Sequence, residues 1–219
     1  MPARPDDPHA ARPVLTDGVL PKDARAAVIM IHGRGAGAAD ILGLAQVIDR
    51  ANIAWLAPEA ANRTWYPLPF TAPTAANEPW LSSALGVVGR LVGEIEAGLP
   101  LERIVLLGFS QGACLVSEYA ARNPRRYGGV VALSGGLIGE RIDPAAYQGS
   151  LVDTPVFFGC SDVDPHIPLA RVQESTAVFR ALGGDVTERI YAGAAHTVVA
   201  DEIAAVQALL DGIPPVLPA

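Results

Sequence analysis

At residues 104–112 the chain reads IVLLGFSQG, an apolar run that leads into a serine flanked by glycines. The apolar residues predict a buried strand, and the stretch after Gly112 has the pattern of a helix. A serine at a sharp strand-to-helix turn projects from the packed layers, and the neighbouring glycines let the backbone approach other segments closely. Ser110 is therefore the candidate nucleophile; the alternative is a serine in an ordinary connecting turn.

Elsewhere the chain alternates short apolar runs with longer helical patterns. Strands are predicted near residues 27–33, 53–60, 104–110, 130–136, 155–161 and 186–192, and helices near 38–50, 81–97, 111–122, 169–182 and from about 201. Such alternation predicts an α/β fold with a mostly parallel central sheet and helices on both faces. Because ligands of open α/β sheets lie beyond the carboxyl ends of the strands, we expect the reactive residues in the strand-to-helix loops.

The length of 219 residues suits one domain with one large core. We assign residues 25–219 to a single α/β domain and residues 1–24 to a loose N-terminal segment that leads into the first strands. Residues 1–13 contain four prolines and several charges but no apolar stretch, so they do not resemble a secretory signal. No run reaches the roughly 18 apolar residues that cross a bilayer, and no integral membrane association is expected.

Charge and cysteine content narrow the partners and the compartment. With 16 basic and 23 acidic side chains the chain carries a net charge of −7, which repels nucleic acid, so no nucleic-acid partner is expected. The two cysteines, Cys114 and Cys160, fall in a predicted helix and at a predicted strand end. We therefore expect reduced thiols instead of a disulfide, and a cytoplasmic location.

A serine hydroxyl needs a general base within hydrogen-bond reach, and histidine is the usual one. Of the four histidines, His9 lies in the N-terminal segment, His32 ends a predicted strand, and His166 lies too close in sequence to the acid candidates to be oriented by them. When a catalytic serine lies at a strand-to-helix turn of this kind, the serine, the acid and the histidine follow in that order along the chain, with the histidine after the final strand. This order selects His196; the alternative is an exposed loop histidine.

The acid that orients the base should be a carboxylate after the penultimate strand. Two aspartates, Asp162 and Asp164, follow the predicted strand at 155–161. We favour Asp164 because it directly precedes the sequence PHIP, with Asp162 as the competing acid; the other aspartate then caps or braces the turn. Their alternation with His166 also suggests a metal site. Prolines in the loop and the lack of a second ligand cluster in the sequence argue against it, and no metal is expected.

Two backbone amides are candidates for stabilising the oxyanion of a tetrahedral intermediate. One belongs to Gln111 at a helix N-terminus, where unpaired N–H groups and the helix dipole favour negative charge. The second amide normally comes from the loop after an earlier strand, which here contains Arg34. His32, two positions earlier, is then expected to be a structural brace.

The glycines of the same loop support a different class of function. The motif Gly33-x-Gly35-x-Gly37 follows a predicted strand and opens a helix. Glu59 ends the next strand, as the acid of a dinucleotide-binding half would. Ala38 stands where that fingerprint has its third glycine, and this interpretation leaves the candidate serine without a role. A nucleotide-binding, Rossmann-like protein is therefore the alternative function.

Aromatic residues and prolines concentrate in one loop. It holds Trp65, Tyr66, Phe70 and Trp80, and prolines among them keep the loop stiff. We expect these four aromatic side chains to wall an apolar substrate pocket. The alternative is a surface loop whose rings pack on the sheet edge.

With these residues in place, the chain resembles the phospholipase/carboxylesterase family of α/β-hydrolases, which includes acyl-protein thioesterase-like enzymes. The resemblance covers about residues 25–212 and rests on the segments HGRG at 32–35, TWYP at 64–67, GFSQG at 108–112, DPHIP at 164–168 and HTV at 196–198. It implies the α/β-hydrolase fold and a cofactor-free serine hydrolase that acts on carboxylic esters or thioesters. Ser110, Asp164 and His196 would form its triad.

Several alternatives stay open within that resemblance. Similar enzymes often place the acid a short gap after a His-Gly pair, whereas here Phe158 and Gly159 precede a longer turn with two aspartates. The expected partner is a small-molecule or lipid ester; a lysophospholipid, an acylated protein, a small aryl ester and a thioester all fit, and the sequence allows a homodimer. A non-catalytic hydrolase-fold binding protein is a further alternative, since a fold does not determine a function.

Overall fold

Seven strands form one sheet in the computed structural model, which describes residues 7–214. In chain order they are β1 (Val14–Gly18), β2 (Ala26–Ile31), β3 (Ile53–Pro58), β4 (Ile104–Phe109), β5 (Gly129–Leu133), β6 (Pro155–Ser161) and β7 (Asp185–Tyr191). Their order across the sheet is β1-β3-β2-β4-β5-β6-β7, with β1 antiparallel to β3 and every other pair parallel. The prediction of a mostly parallel sheet is confirmed.

Helices cover both faces of the sheet, as predicted. They are α1 (Ala38–Ile48), α2 (Trp80–Glu96), α3 (Gln111–Arg122), α4 (Leu169–Ala181) and α5 (Ala200–Asp211). One core lies beneath α2, α3 and α4, and a second lies beneath α1 and α5. Side chains of β2 alternate between them, with Ile29 and Ile31 in the first core and Val28 and Met30 in the second. Among the described residues, no helix is both long and apolar enough to cross a membrane.

Residues 7–24 of the N-terminal segment pack on the domain, which corrects the expectation of a loose segment over that range. Residues 1–6 of the same prediction lie outside the described residues. Strand β1 pairs with β3 along the sheet edge, and all five of its residues are exposed. His9 is buried; its Nε2 donates to the carbonyl of Trp65 at 3.0 Å, and its Nδ1 accepts from the amide of Ala61 at 3.1 Å. The strand escaped prediction because residues exposed on both faces show no apolar alternation.

The direction of the strands gathers the candidate residues at one edge. Because β2, β4, β5, β6 and β7 are parallel, their carboxyl ends lie together. Ser110 follows β4, both aspartates of the acid loop follow β6, and His196 follows β7. Residues that are as much as 86 positions apart in the chain therefore share one site.

Candidate active site

The turn between β4 and α3 holds Ser110 in a backbone conformation that few non-glycine residues adopt. Its φ is 56° and its ψ is −119°, a conformation that costs on the order of 1–3 kcal/mol. The Ser110 amide donates to the carbonyl of Leu133 at 2.9 Å. A Cβ on Gly108 would clash with the carbonyl of Gly112, and a Cβ on Gly112 would clash with the carbonyl of Ile31. Both positions therefore require glycine, because backbone atoms surround them.

Three side chains from three loops form one hydrogen-bonded chain. Nε2 of His196 lies 2.9 Å from Oγ of Ser110, and Nδ1 of His196 lies 2.6 Å from Oδ2 of Asp164. In this arrangement Nδ1 carries the proton that it donates to the carboxylate, and Nε2 is free to accept the serine proton. The Asp164 side chain is fully buried, whereas that of His196 is 18% exposed.

Hydrogen bonds keep the buried Asp164 carboxyl ionised. Burial raises its pKa, but the bond from His196 and the bonds from two amides lower it by more, so the pKa lies below its ordinary value. The two amides belong to His166 and Ile167, which lie 2.8 and 3.0 Å from Oδ1. An ionised carboxylate here can fix the tautomer of the imidazole and stabilise an imidazolium.

The second aspartate of this loop, Asp162, has a different partner. Its Oδ1 accepts a hydrogen bond from the amide of Gly193 at 2.8 Å. Gly193 adopts a φ of 67° in the loop between β7 and His196, so Asp162 braces the loop that carries the candidate base. The structure brings Asp164, and not Asp162, into contact with the imidazole.

The remaining histidines near the site have other surroundings. His32 is fully buried, donates through Nδ1 to the carbonyl of Gly33 at 2.8 Å and accepts at Nε2 from the amide of Ala60 at 3.1 Å. Burial lowers the pKa of His32, so it is a neutral brace between two loops. His166 is exposed, and its ring meets the ring of His196 edge-on with centroids 4.9 Å apart.

The loop after β2 lies directly against the candidate nucleophile. A Cβ on Gly33 would come within 3.3 Å of the Cβ of Ser110. Within residues 7–214, the backbone amides of Arg34 and Gln111 have no hydrogen-bond acceptor, so both can donate to an oxygen of a ligand. Gln111 also begins α3, where the helix dipole favours negative charge. These two amides are the candidate oxyanion donors.

A cleft of about 510 Å³ opens at Ser110. Its walls are mostly apolar and include Tyr66, Pro67, Pro69, Phe70, Phe109 and Ile167. Of the four aromatic residues predicted to wall a pocket, the structure places Tyr66 and Phe70 on this cleft. It places Trp65 and Trp80 elsewhere, which corrects the expectation for these two residues.

The two tryptophans enclose a histidine of the N-terminal segment instead. Trp65 is fully buried, and its Nε1 donates to the carbonyl of His32 at 2.9 Å. The Trp65 ring lies 5.3 Å from the ring of His9, and the Trp80 ring meets His9 edge-on at 5.5 Å. Trp65 is thus covered by the protein itself, whereas Trp80 is half-buried, and both rings pack on His9 instead of lining the cleft.

The glycine-rich loop does not have a nucleotide-binding arrangement. Glu59, the acid of that alternative, accepts a hydrogen bond from the amide of Ala38 at 2.8 Å at the N-terminus of α1. A dinucleotide needs this helix N-terminus for its pyrophosphate and the acid for a ribose. Because the carboxylate itself occupies the anion position, the structure contradicts the Rossmann-like alternative.

The other metal-binding and nucleophilic side chains are dispersed or inert. In the part of the chain that the structure describes, no group of three or more His, Cys, Asp or Glu residues could hold a metal ion. Cys114 and Cys160 are free and buried. Burial raises the pKa of each thiol to about 12, so neither is a thiolate at neutral pH.

The roles of two side chains were not anticipated from the sequence. The Arg34 side chain bonds carbonyls at least 32 positions away in the chain, and no local pattern encodes such contacts. Glu202 is buried at the start of α5, accepts from the amide of Val199 at 2.9 Å, and burial raises its pKa to about 7. An acidic residue in the first helical turn is typical of a capping pattern, and that signal could have located Glu202.

Comparison with known proteins finds a family match along most of the chain. The family model described as Phospholipase/Carboxylesterase matches residues 20–213. Acyl-protein thioesterase 1 of Saccharomyces cerevisiae is 34% identical over 116 residues, which are 50% of this chain and 49% of that protein. The protein of the same name from Kluyveromyces lactis is 35% identical over 128 residues, 56% of each chain. The chain thus spans about half the length of these curated relatives.

Solved structures match over more of the chain. The crystal structure of a phospholipase/carboxylesterase from Dyadobacter fermentans is 45% identical with a TM-score of 0.88, and covers 91% of this chain and 96% of its own. The carboxylesterase of Bacillus cereus is 19% identical with a TM-score of 0.71 over 92% of this chain and 94% of its own, a likeness that shows the fold alone. The predicted α/β-hydrolase fold is confirmed.

Proposed function

The chain belongs to the phospholipase/carboxylesterase family, and on this premise we propose that it is a serine hydrolase that cleaves carboxylic esters through an acyl-enzyme intermediate. The observation that carries the proposal is the hydrogen-bonded chain from Asp164 through His196 to Ser110, beside an apolar cleft. A strained serine, a base and a buried carboxylate in this geometry have no structural need for one another, whereas acyl transfer needs all three.

In the first step, Oγ of Ser110 attacks the acyl carbon while Nε2 of His196 takes the hydroxyl proton. The carbonyl oxygen becomes an oxyanion, which the amides of Arg34 and Gln111 stabilise; the loss of one such donor typically lowers kcat about 10²- to 10³-fold. The intermediate collapses when His196 gives its proton to the leaving alcohol. The acyl group then stays on Ser110 as an ester.

In the second step, water takes the place of the alcohol. Nε2 of His196 removes a proton from the water as its oxygen attacks the acyl carbon, and the same two amides stabilise the second oxyanion. Collapse of this intermediate breaks the bond to Oγ, and His196 returns the proton to Ser110. The products are a carboxylic acid and the free enzyme.

The walls of the cleft favour an apolar acyl or alcohol group, and we assign substrate contact to Tyr66 and Phe70. The partner is therefore a small-molecule or lipid ester. Thioesters belong to the proposal because two matched relatives are acyl-protein thioesterases and the same steps release a thiol. The free thiols of Cys114 and Cys160 are compatible with the cytoplasmic location, which stays a prediction.

The experiment that tests the proposal is hydrolysis of p-nitrophenyl esters of increasing chain length by the wild type and by Ser110→Ala. We expect turnover by the wild type and a loss of about 10⁵- to 10⁶-fold in kcat in the variant, with an unchanged unfolding temperature. Ser82→Ala is the matched control, because Ser82 is exposed on α2 outside the cleft. Turnover by Ser110→Ala at the wild-type rate would refute the nucleophile, and a folded wild type with no turnover would support the non-catalytic binding protein.

A further inference from the structure

One guanidinium holds three consecutive carbonyls of the cleft wall. Nη1 of Arg34 donates to the carbonyl of Pro67 at 2.8 Å, and Nη2 donates to the carbonyls of Tyr66 and Leu68 at 2.8 and 3.0 Å. Within residues 7–214, the Arg34 side chain has no carboxylate partner, and the acceptors of its hydrogen bonds are these three carbonyls. Three charge-assisted bonds to one short segment leave that segment little freedom to move.

The second candidate oxyanion residue holds the same segment. Nε2 of Gln111 donates to the carbonyl of Tyr66 at 2.8 Å, and Oε1 of Gln111 accepts from the amide of Trp65 at 2.9 Å. The hydroxyl of Thr64 also donates to the Tyr66 carbonyl, at 3.0 Å. The Tyr66 carbonyl is therefore the acceptor of three donors, two of which belong to the residues whose amides face the oxyanion.

We propose that Arg34 is a positioning residue. Its side chain holds the cleft wall at residues 66–70 in place relative to the backbone amides of Arg34 and Gln111, which bind the oxyanion, and so determines which acyl chains are turned over. The inference rests on the proposed function for its catalytic part. Tyr66 lines the cleft, and Phe70 follows within the same loop. If segment 66–68 shifts relative to Arg34, the acyl chain and the oxyanion can no longer both be well placed, and a displacement of about 1 Å can lower the rate 10²-fold.

We call the three bonds from Arg34 to the carbonyls of residues 66–68 the Arg34 clamp. The domain does not need this clamp to stay folded. Without the guanidinium, the Tyr66 carbonyl keeps Gln111 and Thr64 as donors. The carbonyls of the exposed residues Pro67 and Leu68 can accept hydrogen bonds from water instead. Lysine cannot replace arginine fully, because one ammonium lacks the planar fork that reaches several carbonyls at once. The cleft wall should therefore loosen while the domain stays folded.

The test compares Arg34→Met and Arg34→Lys with Arg50→Met across the ester series. Arg50 is the matched control, since it is paired with Asp211 away from the cleft. We expect Arg34→Met to lower kcat about 10- to 100-fold and to bring the kcat/KM values of short and long esters closer together, with Arg34→Lys intermediate. An unchanged chain-length profile, or a uniform change that only follows lower stability, would overturn the inference.

A second readout does not depend on hydrolysis. Hydrogen exchange of the amides in segment 64–70 should become at least about tenfold faster in Arg34→Met than in the wild type and in Arg50→Met, while exchange in the sheet stays unchanged. Equal amide exchange rates in segment 64–70 of all three proteins would show that Arg34 does not hold this segment in place, even if the enzyme is active. Faster exchange in a protein that hydrolyses no ester would instead refute the proposed function and leave the clamp supported.

Discussion

Two carboxylates that stand two positions apart in the sequence have different hydrogen-bond partners in this site. Asp164 contacts the imidazole of His196 and is fully buried, whereas Asp162 bonds the amide of Gly193. The sequence predicts a carboxylate after β6 but leaves two candidates, because a turn of this length can direct either side chain toward the base. The amides of His166 and Ile167 also bond Asp164 and hold its carboxylate toward the base.

Asparagine substitutions separate the two roles. Asp164→Asn should lower kcat about 10⁴-fold, because an amide donor opposite Nδ1 selects the wrong imidazole tautomer. Asp162→Asn should lower kcat less than about tenfold, since the asparagine oxygen still accepts from Gly193. Steady-state kinetics on one ester, with unfolding temperatures for both variants, checks the difference. A larger loss in Asp162→Asn than in Asp164→Asn would assign the acid role to Asp162.

At the scale of secondary-structure elements, the close contact between the start of α3 and the end of β2 restricts the choice of residues most strongly. The predicted bounds of the strands and helices follow from their apolar periodicity, and α3 agrees with its prediction at both ends. β1 and the enclosed tryptophans could not be predicted in the same way. Their environment is set by pairing and packing with the N-terminal segment, which has no periodic signal of its own.

Two glycine substitutions should have opposite effects on stability. In Gly112→Ala the new Cβ meets the backbone of Ile31, which cannot move without disrupting the sheet, so the free energy of unfolding should fall by at least about 3 kcal/mol. In Gly93→Ala the new Cβ meets nothing within 4 Å on an exposed turn of α2, so the free energy of unfolding should rise by about 0.5–1 kcal/mol. Urea unfolding measures both. A stable, active Gly112→Ala would contradict the tight contact described here.

At the scale of the whole molecule, stability depends on two buried carboxyl groups with opposite shifts. Burial raises the pKa of Glu202 from 4.5 to about 7, with a smaller opposing effect of the Val199 amide. Its contribution to stability is complete below pH 4.5 and is lost as the pH rises through 7. The pKa of Asp164 is lowered, so its contribution is present near neutral pH and is lost only as the pH falls through that lowered value.

Glu202→Gln should therefore flatten the pH dependence of stability. Glutamine can keep the bond to Val199 and has no charge to bury, so the variant should be more stable than the wild type at pH 8 by up to about 3 kcal/mol and similar at pH 4.5. Glu94→Gln, on the exposed side of α2, is the control and should follow the wild type. Thermal unfolding from pH 4.5 to 8 checks this; parallel curves for Glu202→Gln and the wild type would show that Glu202 does not titrate in this range.

The order of strands and loops made the candidate site predictable at this scale. Once the chain is recognised as a parallel α/β sheet, loops after β4, β6 and β7 must meet at one edge, so Ser110 and His196 could be located before any coordinates. The reach of the Arg34 side chain could not, because it depends on how the loop after β3 folds back over the site. The order of strands and helices in the sequence predicts where the loops lie, whereas the contacts between loops are known only from the folded structure.

Covalent trapping with a fluorophosphonate ester, read by mass spectrometry of the intact protein and its peptides, tests whether His196 activates the hydroxyl of Ser110. The reagent reacts with a serine only when a neighbouring base activates the hydroxyl. We expect one adduct per chain, located on Ser110, absent in Ser110→Ala and formed far more slowly in His196→Ala. An adduct on another residue, or rapid labelling of Ser110 in His196→Ala, would show that His196 does not activate Ser110.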